Sequence, residues 1–451
     1  MENGRLSRQK FRSYSGFKRL KPEQYFCIVV LFFGLFASIL TLPYTTGDEG
    51  YHLSKAYNLF SSQKPKLMDE ATLREIELKA INDTSNFDAR EIFEKKLDLG
   101  NDQIKINSGN ESASIIPIDL MHLPAALGVL LARVIYPSYG VMLLFARLFN
   151  VLFFTICFYF VIKHSQIGKW QLFMLFTVPF LQKIASPSYD IFCFVALAAF
   201  VLHIFKLSKI DTIQKLNTSQ IVYTIFTIIL LLFCKKNYIF ALPLILGLPF
   251  IYLPIINFYR KLRFPIKVVH SIVVLFFLMV MIYLFNSKFN LLNFVETFYN
   301  SYFNVETIGR RTRQMWYFVP TILPSIFNLV WLLILFLIII TDKCRYWSRG
   351  VIVAGICTFF VNWIGIFGGF YQINPNVKVI GELSGRYLHP FLILLIPYLQ
   401  NFGAKYSLNL PEATVRRLAV VSTNIILVSY LFLVFYRGFI LKICPTWTNM
   451  G

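Results

Sequence analysis

The sequence predicts an all-α polytopic membrane protein with about eleven transmembrane helices. Three observations predict this class. The 451 residues are 56% hydrophobic and 15% charged, with a mean hydropathy of +0.59, whereas a soluble chain carries about a quarter charged residues. The apolar residues form runs of roughly 17–22, the length that crosses a bilayer. Short loops that carry Lys and Arg separate these runs.

The net charge of +21 does not indicate a nucleic-acid partner. The basic residues are spread over short loops between apolar runs, as topology signals are. The basic stretch 1–22 has no small-residue cleavage site after a short apolar core, so we interpret it as a cytoplasmic tail before a retained first helix. The seven cysteines show no metal-site or redox spacing and are expected to act as small hydrophobic residues.

We predict that the N-terminus lies in the cytoplasm, because this orientation places the loops that carry Lys or Arg on the cytoplasmic side. The tail 437–451 is then predicted to lie on the outer side of the membrane. One competing segment, 120–135, is apolar enough to span, but a span there would move the later basic loops outside. We therefore predict a helix in the plane of the outer surface. The predicted spans cover residues 24–43, 141–162, 170–185, 190–205, 218–234, 238–255, 268–286, 317–341, 350–370, 387–401 and 418–436.

A long outer loop over 44–139 follows the first span. Its stretch 63–116 holds eleven of the chain's 23 acidic residues, which indicates a solvated, translocated segment. Mixed apolar and charged periodicity predicts surface helices over 51–61 and 70–82. The residues that follow, 82–110, are rich in Asn, Asp and Ser and are predicted to be irregular.

The candidate catalytic residues are Asp48 and Glu49, which come just after the first span, with His52 close behind. A carboxylate at the edge of hydrocarbon is costly unless it meets water, a cation or a substrate. A carboxylate there could take a proton from an attacking hydroxyl group, and nearby cations could hold a lipid-linked phosphate and stabilise it as it leaves.

Several other rare polar residues fall on the same predicted face of the membrane. Each also has a structural interpretation: Asp190 could cap a helix, Arg386 could snorkel to the interface, and a lysine pair could be a solvated turn. The set consists of Asp190, the lysines Lys235 and Lys236, the arginines Arg310, Arg311 and Arg313, and Glu382, Arg386 and Tyr387.

The Asp48-Glu49-x-x-His52 stretch resembles the hallmark of a bacterial family of uncharacterised polytopic membrane proteins, in which it reads Pro-x-Asp-Glu-x-x-His. Segments 186–190 and 236–249, and Gly385-Arg386-Tyr387 with Pro390, are similar to that family in the same order. The resemblance covers roughly residues 25–400. This chain has Thr46-Gly47 where the family usually has Pro before the acidic pair.

The family is grouped with the GT-C membrane glycosyltransferases, relatives of the protein mannosyltransferases and of the enzyme that adds aminoarabinose to lipid A. The resemblance implies a GT-C-like core over 23–255, then variable helices over 256–436 with outer loops 287–316 and 371–386. It implies a multi-pass protein of the bacterial cytoplasmic membrane with its active site on the outer face. It also implies an essential acid after the first span, matched by Asp48 or Glu49, and a second acidic position, matched by Asp190.

The expected function is that of an inverting glycosyltransferase, which moves a monosaccharide from a polyprenyl-phosphate donor to an envelope glycan or glycolipid acceptor. Asp48 and Glu49 would be catalytic. Asp190 and His52 would serve the acceptor or second acidic position, and Lys235, Lys236, Arg386 and Tyr387 the donor phosphate. No cofactor is expected, although the carboxylates could hold Mg²⁺ or Mn²⁺. The alternatives are a polymerase or ligase that uses a diphosphate-linked glycan, favoured by Arg310–Arg313, and a transporter or flippase of lipid-linked saccharides.

Overall fold

A computed structural model describes residues 20–106, 117–179, 181–304, 316–342, 347–375, 377–380 and 383–444. These residues form helices and connecting loops. The β-type pairing in them is an isolated antiparallel bridge between Ser61 and Ile104. The structure therefore agrees with the predicted helical class.

Ten helices occupy the first half of the described chain. They are α1 (Pro22–Leu40), α2 (Glu49–Asn58), α3 (Glu70–Asn82), α4 (Ala89–Glu94), α5 (Pro117–Leu120), α6 (Leu123–Ile135), α7 (Tyr139–Lys163), α8 (Lys169–Thr177), α9 (Leu181–Ile184) and α10 (Asp190–Leu207).

Eight further α-helices follow in the described residues of the second half. They are α11 (Thr218–Phe233), α12 (Pro249–Lys261), α13 (Phe264–Phe289), α14 (Leu291–Tyr302), α15 (Ser325–Ile340), α16 (Arg349–Ile373), α17 (Ile396–Lys405) and α18 (Glu412–Phe435). Tighter 3₁₀ segments cover Lys66–Met68, Ile213–Lys215, Lys236–Gly247, Gly385–Tyr387 and His389–Leu395, and a π turn covers Tyr436–Ile440.

Six helices in the described chain are long and apolar enough to cross a membrane, namely α1, α7, α10, α13, α16 and α18 with its π turn. A seventh is added if the 3₁₀ segment Lys236–Gly247 and α12, which meet at a bend of 63°, count as one span. The structure thus supports a polytopic helical membrane protein but not the count of eleven spans. Several predicted runs are broken or short: 170–185 is interrupted after Thr177, and 387–401 begins as a 3₁₀ helix.

The described residues have two hydrophobic cores. The larger core lies within the helix bundle and is built from α1, α7, α8 and α10 and the helices that follow. The smaller core joins the outer-loop helices α2 and α3 to α6 and to the first turns of α7. The predicted outer loop is therefore a packed unit at one end of the bundle, and this packing fixes the positions of its helices.

The outer loop follows its sequence prediction over 70–82 but not over 82–110, where the stretch predicted to be irregular contains α4, capped by the side chain of Asp88. Helix α3 has the predicted bounds, and the side chain of Asp69 caps it by accepting a hydrogen bond from the amide of Thr72 at 2.7 Å. A buried ion pair between Arg133 and Asp102, 2.9 Å long, ties the end of the loop to α6. Helix α6 has 13 residues and rises about 20 Å, less than the ~30 Å hydrocarbon core of a bilayer.

Helix α7 contacts both cores because small residues let its neighbours approach closely. A Cβ atom on Gly128 of α6 would lie 2.3 Å from the carbonyl oxygen of Phe145, and a Cβ atom on Gly34 of α1 would lie 2.9 Å from Val151. A larger residue at either position would force its neighbour to shift. As a result α7 brings polar side chains to the ends of α1, α2 and the turn before α10.

Candidate functional site

The segment between α1 and α2 turns sharply. Tyr44, Gly47 and Asp48 have φ angles of 62°, 74° and 60°, which is the left-handed region that glycine and, to a lesser degree, aspartate adopt. The carboxylate of Glu77 on α3 accepts hydrogen bonds from the backbone amides of Asp48 at 2.5 Å and Gly50 at 3.2 Å. Glu77 thus satisfies the free amides at the start of α2 and fixes the position of Asp48.

The side chain of Asp48 is open to solvent. It is 54% exposed, and its nearest ion-pair partner among the described residues is Arg74 at 3.8 Å. Asp48 also lies within electrostatic range of the buried Lys183 and the half-buried Arg386. It is therefore a carboxylate that a substrate could reach, next to positive charge.

Glu49 has a different environment although it is the next residue. Its two oxygens are buried and accept hydrogen bonds from Arg147 of α7, at 2.9 and 2.8 Å. The same guanidinium donates to the carbonyl oxygens of Ser38 and Thr41 at the end of α1. This bidentate ion pair joins α1, α2 and α7. Because both carboxylate oxygens are bound by Arg147, the geometry indicates a structural role for Glu49.

The turn that carries Asp190 is held by α7 as well. Asn150, about one turn beyond Arg147, donates from its amide to the carbonyl oxygens of Ser186 at 2.7 Å and Ser188 at 3.2 Å. The hydroxyl of Ser188 accepts a hydrogen bond from the amide of Asp190. These bonds fix the start of α10, where Asp190 is the first helical residue.

Asp190 pairs with Lys235, which is two residues beyond the end of α11. Their Oδ1 and Nζ atoms are 2.5 Å apart, and both side chains are largely buried. The lysine ammonium also lies over the rings of Tyr189 at 4.6 Å and Tyr387 at 5.6 Å. An ammonium between two aromatic faces gains cation–π stabilisation, so Lys235 is held in one position.

Two further cations, Lys183 and Arg386, lie near Lys235. We call these three residues the cationic cluster. Arg386 donates from Nη2 to the hydroxyl of Tyr387 at 3.0 Å, while its Nε is buried without a hydrogen-bond partner in the described residues. Lys183 is only 6% exposed. Within the part of the chain that the structure describes, Lys183 forms no hydrogen bond or ion pair. It interacts electrostatically over longer distances with Arg386, Asp190 and Asp48. A buried ammonium without a counterion is costly, so the cluster is suited to an anion.

A histidine pair borders the cluster. His52 of α2 and His122, just before α6, share a hydrogen bond of 2.9 Å between Nδ1 and Nε2. Both rings lie edge-on to Tyr189, with centroids 5.0 and 5.1 Å away. Burial lowers the pKa of His52 well below its usual value of 6.5, and the charges of His122 and Lys183 act in the same direction. His52 is therefore neutral, and one ring nitrogen of the pair donates to the other.

The neutral state of His52 predicts a pH dependence of stability. In the unfolded chain His52 binds a proton near pH 6.5, whereas in the folded chain it stays neutral to lower pH. The contribution of neutral His52 to the free energy of unfolding is fully present above pH 6.5. It decreases as the pH falls below that value, by about 1 kcal/mol at pH 5.5. We expect the thermal midpoint in detergent to fall more between pH 7.5 and 5.5 for the wild type than for His52→Gln. Parallel pH profiles would contradict this prediction.

The structure brings most of the predicted site residues together. Asp48, His52, Asp190, Lys235, Arg386 and Tyr387 surround one region at the outer-loop end of the bundle. Glu49 lies beside it in its ion pair with Arg147. Lys236 is exposed and, among the described residues, pairs with no acid. The residues 310, 311, 313 and 382 lie outside the described residues.

Sequence reasoning missed four residues that matter in this geometry. Lys183 and Arg147 are single cations inside predicted apolar spans, and such residues are functional or structural candidates by default. Asn150 gives a weaker signal of the same kind. Glu77 carries no such signal, because it is one of many acids in a solvated stretch.

One family matches this chain over residues 31–395, and it is described as a predicted membrane protein (DUF2142). The chain belongs to the DUF2142 family. The match runs from within α1 to the end of the 3₁₀ segment His389–Leu395, so it includes every residue of the cationic cluster, together with Asp48 and Asp190. The search of curated proteins and the search of solved structures returned no match for this DUF2142 protein.

No group of three or more His, Cys, Asp or Glu residues in the described part of the chain is arranged to hold a metal ion. Asp190 is engaged with Lys235 and Glu49 with Arg147, so two of the carboxylates suggested for Mg²⁺ or Mn²⁺ have cationic partners. Independence from metal remains a prediction.

Proposed function

We propose that this DUF2142 protein is a membrane glycosyltransferase that moves a sugar from a polyprenyl-phosphate donor to an envelope glycan or glycolipid acceptor. The observation that carries the proposal is the juxtaposition of a buried, unpaired cation with an exposed carboxylate. A bound anion would neutralise the charge of Lys183, and Asp48 lies within electrostatic range of Lys183. A phosphate ester with a hydroxyl acceptor beside it would use both groups.

The cationic cluster supports the role of a phosphate site. Lys183, Lys235 and Arg386 come from three separate segments, and Asp190 balances only Lys235 by direct contact. Arg386 has a buried Nε that is free to donate. As the bond between the anomeric carbon and the phosphate oxygen breaks, its electron pair stays on the phosphate, and preorganised cations stabilise that charge.

Asp48 is the best placed base. The acceptor hydroxyl forms a bond to the anomeric carbon and gives its proton to the Asp48 carboxylate, while the polyprenyl phosphate departs from the opposite side. A one-step displacement inverts the anomeric configuration. Glu49 and Asp190 are less suited to this step, because each is buried against a cation. On this reading Asp190 orients Lys235, and the reaction takes place on the outer face of the membrane.

Removing the charge of Lys183 should weaken donor binding strongly. A hydrogen bond to a charged group contributes about 1.5–3 kcal/mol, so we expect Lys183→Met to bind polyprenyl phosphate about 10- to 100-fold more weakly. The matched control is Lys79→Met, which removes an exposed lysine of α3 that belongs to no predicted site. Titration of purified protein with a fluorescent polyprenyl phosphate measures both. Equal affinity of the two variants would argue against the phosphate site.

Transfer by the purified protein tests the activity itself. The full chain in detergent is supplied with a panel of polyprenyl-phosphate sugars and an envelope extract, and released polyprenyl phosphate is measured. We expect release with one donor, and we expect EDTA to leave it unchanged. Loss of release in EDTA with recovery in Mn²⁺ would show that a metal takes part. No release with any donor would contradict the proposal.

A transporter or flippase of lipid-linked saccharides is the second candidate, and one structural feature favours it. The 3₁₀ segment Lys236–Gly247 meets α12 at 63°, and interrupted helices border substrate sites in many transporters. A 3₁₀ run of 12 residues is also unusually long. Movement of a labelled lipid-linked saccharide across proteoliposomes, without release of polyprenyl phosphate, would favour this candidate over the transferase.

A further inference from the structure

A second binding region lies along the bundle, away from the candidate site. It is a groove of about 730 Å³ between α7, α10 and α11. Most of its length is apolar, with Phe153 and Cys157 from α7, Phe192 and Val195 from α10, and Leu230 from α11 on its walls. A space of this size and character suits a hydrocarbon chain.

The polar side chains of the groove are concentrated at one end. His164 follows α7, Lys206 and His203 belong to the last turns of α10, and Asn217 and Gln220 lie at the start of α11. From Phe192 to Lys206 the helix rises about 21 Å. The groove therefore has an apolar length and a polar, basic mouth.

The basic mouth and the cationic cluster are at opposite ends of α10. Asp190, which pairs with Lys235, is the first residue of that helix, and Lys206 is in its last turn. Lys206 is exposed and, in the described chain, has no acidic partner. Lys209 adds positive charge at the same end. An anionic headgroup is the complement of this mouth.

We propose that the groove binds an anionic glycerophospholipid, with its phosphate at Lys206 and one acyl chain along Phe160, Val195 and Ala199. An extended acyl chain of one leaflet covers about half of the ~30 Å hydrocarbon core. The groove from Phe192 to Lys206 is longer than this, at about 21 Å, and the polar residues around Lys206 line the rest of its length. This site is independent of the proposed transferase activity. It provides an attachment to the membrane leaflet opposite the cationic cluster.

Native mass spectrometry of the delipidated full chain tests the site. The probes are dioleoyl phosphatidylglycerol and dioleoyl phosphatidylcholine, each added alone and then in competition with a polyprenyl phosphate. We expect at least tenfold preferential retention of phosphatidylglycerol. Lys206→Gln should lower that preference at least threefold, and Ala199→Trp, which fills the groove, should reduce retention of both lipids. Lys163→Gln is the control, because Lys163 lies over Tyr159 outside the groove.

Three results would overturn the proposal. One is equal retention of the two phospholipids by the wild type. Another is an equal loss of preference in Lys206→Gln and Lys163→Gln, which would indicate general surface attraction. The third is displacement of phosphatidylglycerol by the polyprenyl phosphate, which would assign the groove to the donor's chain. If Ala199→Trp does not fold, the Lys206→Gln and Lys163→Gln comparison decides alone.

Discussion

Replacing Asp48 by Asn should reduce sugar transfer about 10²- to 10⁴-fold, the usual cost of losing a positioned base. Asparagine keeps the size of the side chain and tolerates the left-handed backbone at φ 60°. The hydrogen bond from the amide of residue 48 to Glu77 is also retained, because it uses the backbone. The substitution therefore removes proton acceptance and little else.

Folding and donor binding separate this effect from simple damage. Asp48 is exposed, and its closest ion pair is long at 3.8 Å, so the thermal midpoint of Asp48→Asn should stay close to that of the wild type. Binding of polyprenyl phosphate should be retained. Glu75→Gln is the matched control, since it removes another exposed carboxylate from the same outer-loop unit. Full transfer activity in Asp48→Asn would show that Asp48 is not the base.

The sequence predicted the outer loop better than the bundle. The helix over 70–82 was predicted correctly, because apolar and charged residues recur there with a helical period. The spans were harder to predict. Hydropathy detects apolar runs but not the backbone within them, so the 3₁₀ segments Lys236–Gly247 and His389–Leu395 look the same as α-helical spans.

The residues of the candidate site could also be predicted only in part from the sequence. The sequence indicated Asp48, Asp190 and Arg386, because rare charges at the ends of apolar runs stand out. It could not show which acid is open to a substrate. Asp48 and Glu49 are neighbours in the chain, and only their three-dimensional partners distinguish them: Arg147 lies 98 residues from Glu49. Contacts between distant segments of this kind leave no local pattern.

Replacing Glu49 should have the opposite profile from replacing Asp48. Glu49→Leu leaves the Arg147 guanidinium buried beside an apolar side chain, and breaking a buried ion pair in this way costs about 3–5 kcal/mol. That cost is a large part of the stability of an ordinary domain. We therefore expect a much lower thermal midpoint in detergent and a smaller yield of monodisperse protein, with activity lost in proportion to folded protein.

The double variant Glu49→Leu/Arg147→Met distinguishes a structural pair from a catalytic acid. Removing both charges ends the burial of an unpaired ion, so stability should recover in part. Recovery should be incomplete, because Arg147 also donates to the carbonyl oxygens of Ser38 and Thr41 at the end of α1, and buried acceptors without a donor are costly. If Glu49→Leu instead folded like the wild type and lost transfer, Glu49 would belong with Asp48 in the catalytic centre, and α1, α2 and α7 would need another explanation for their contact.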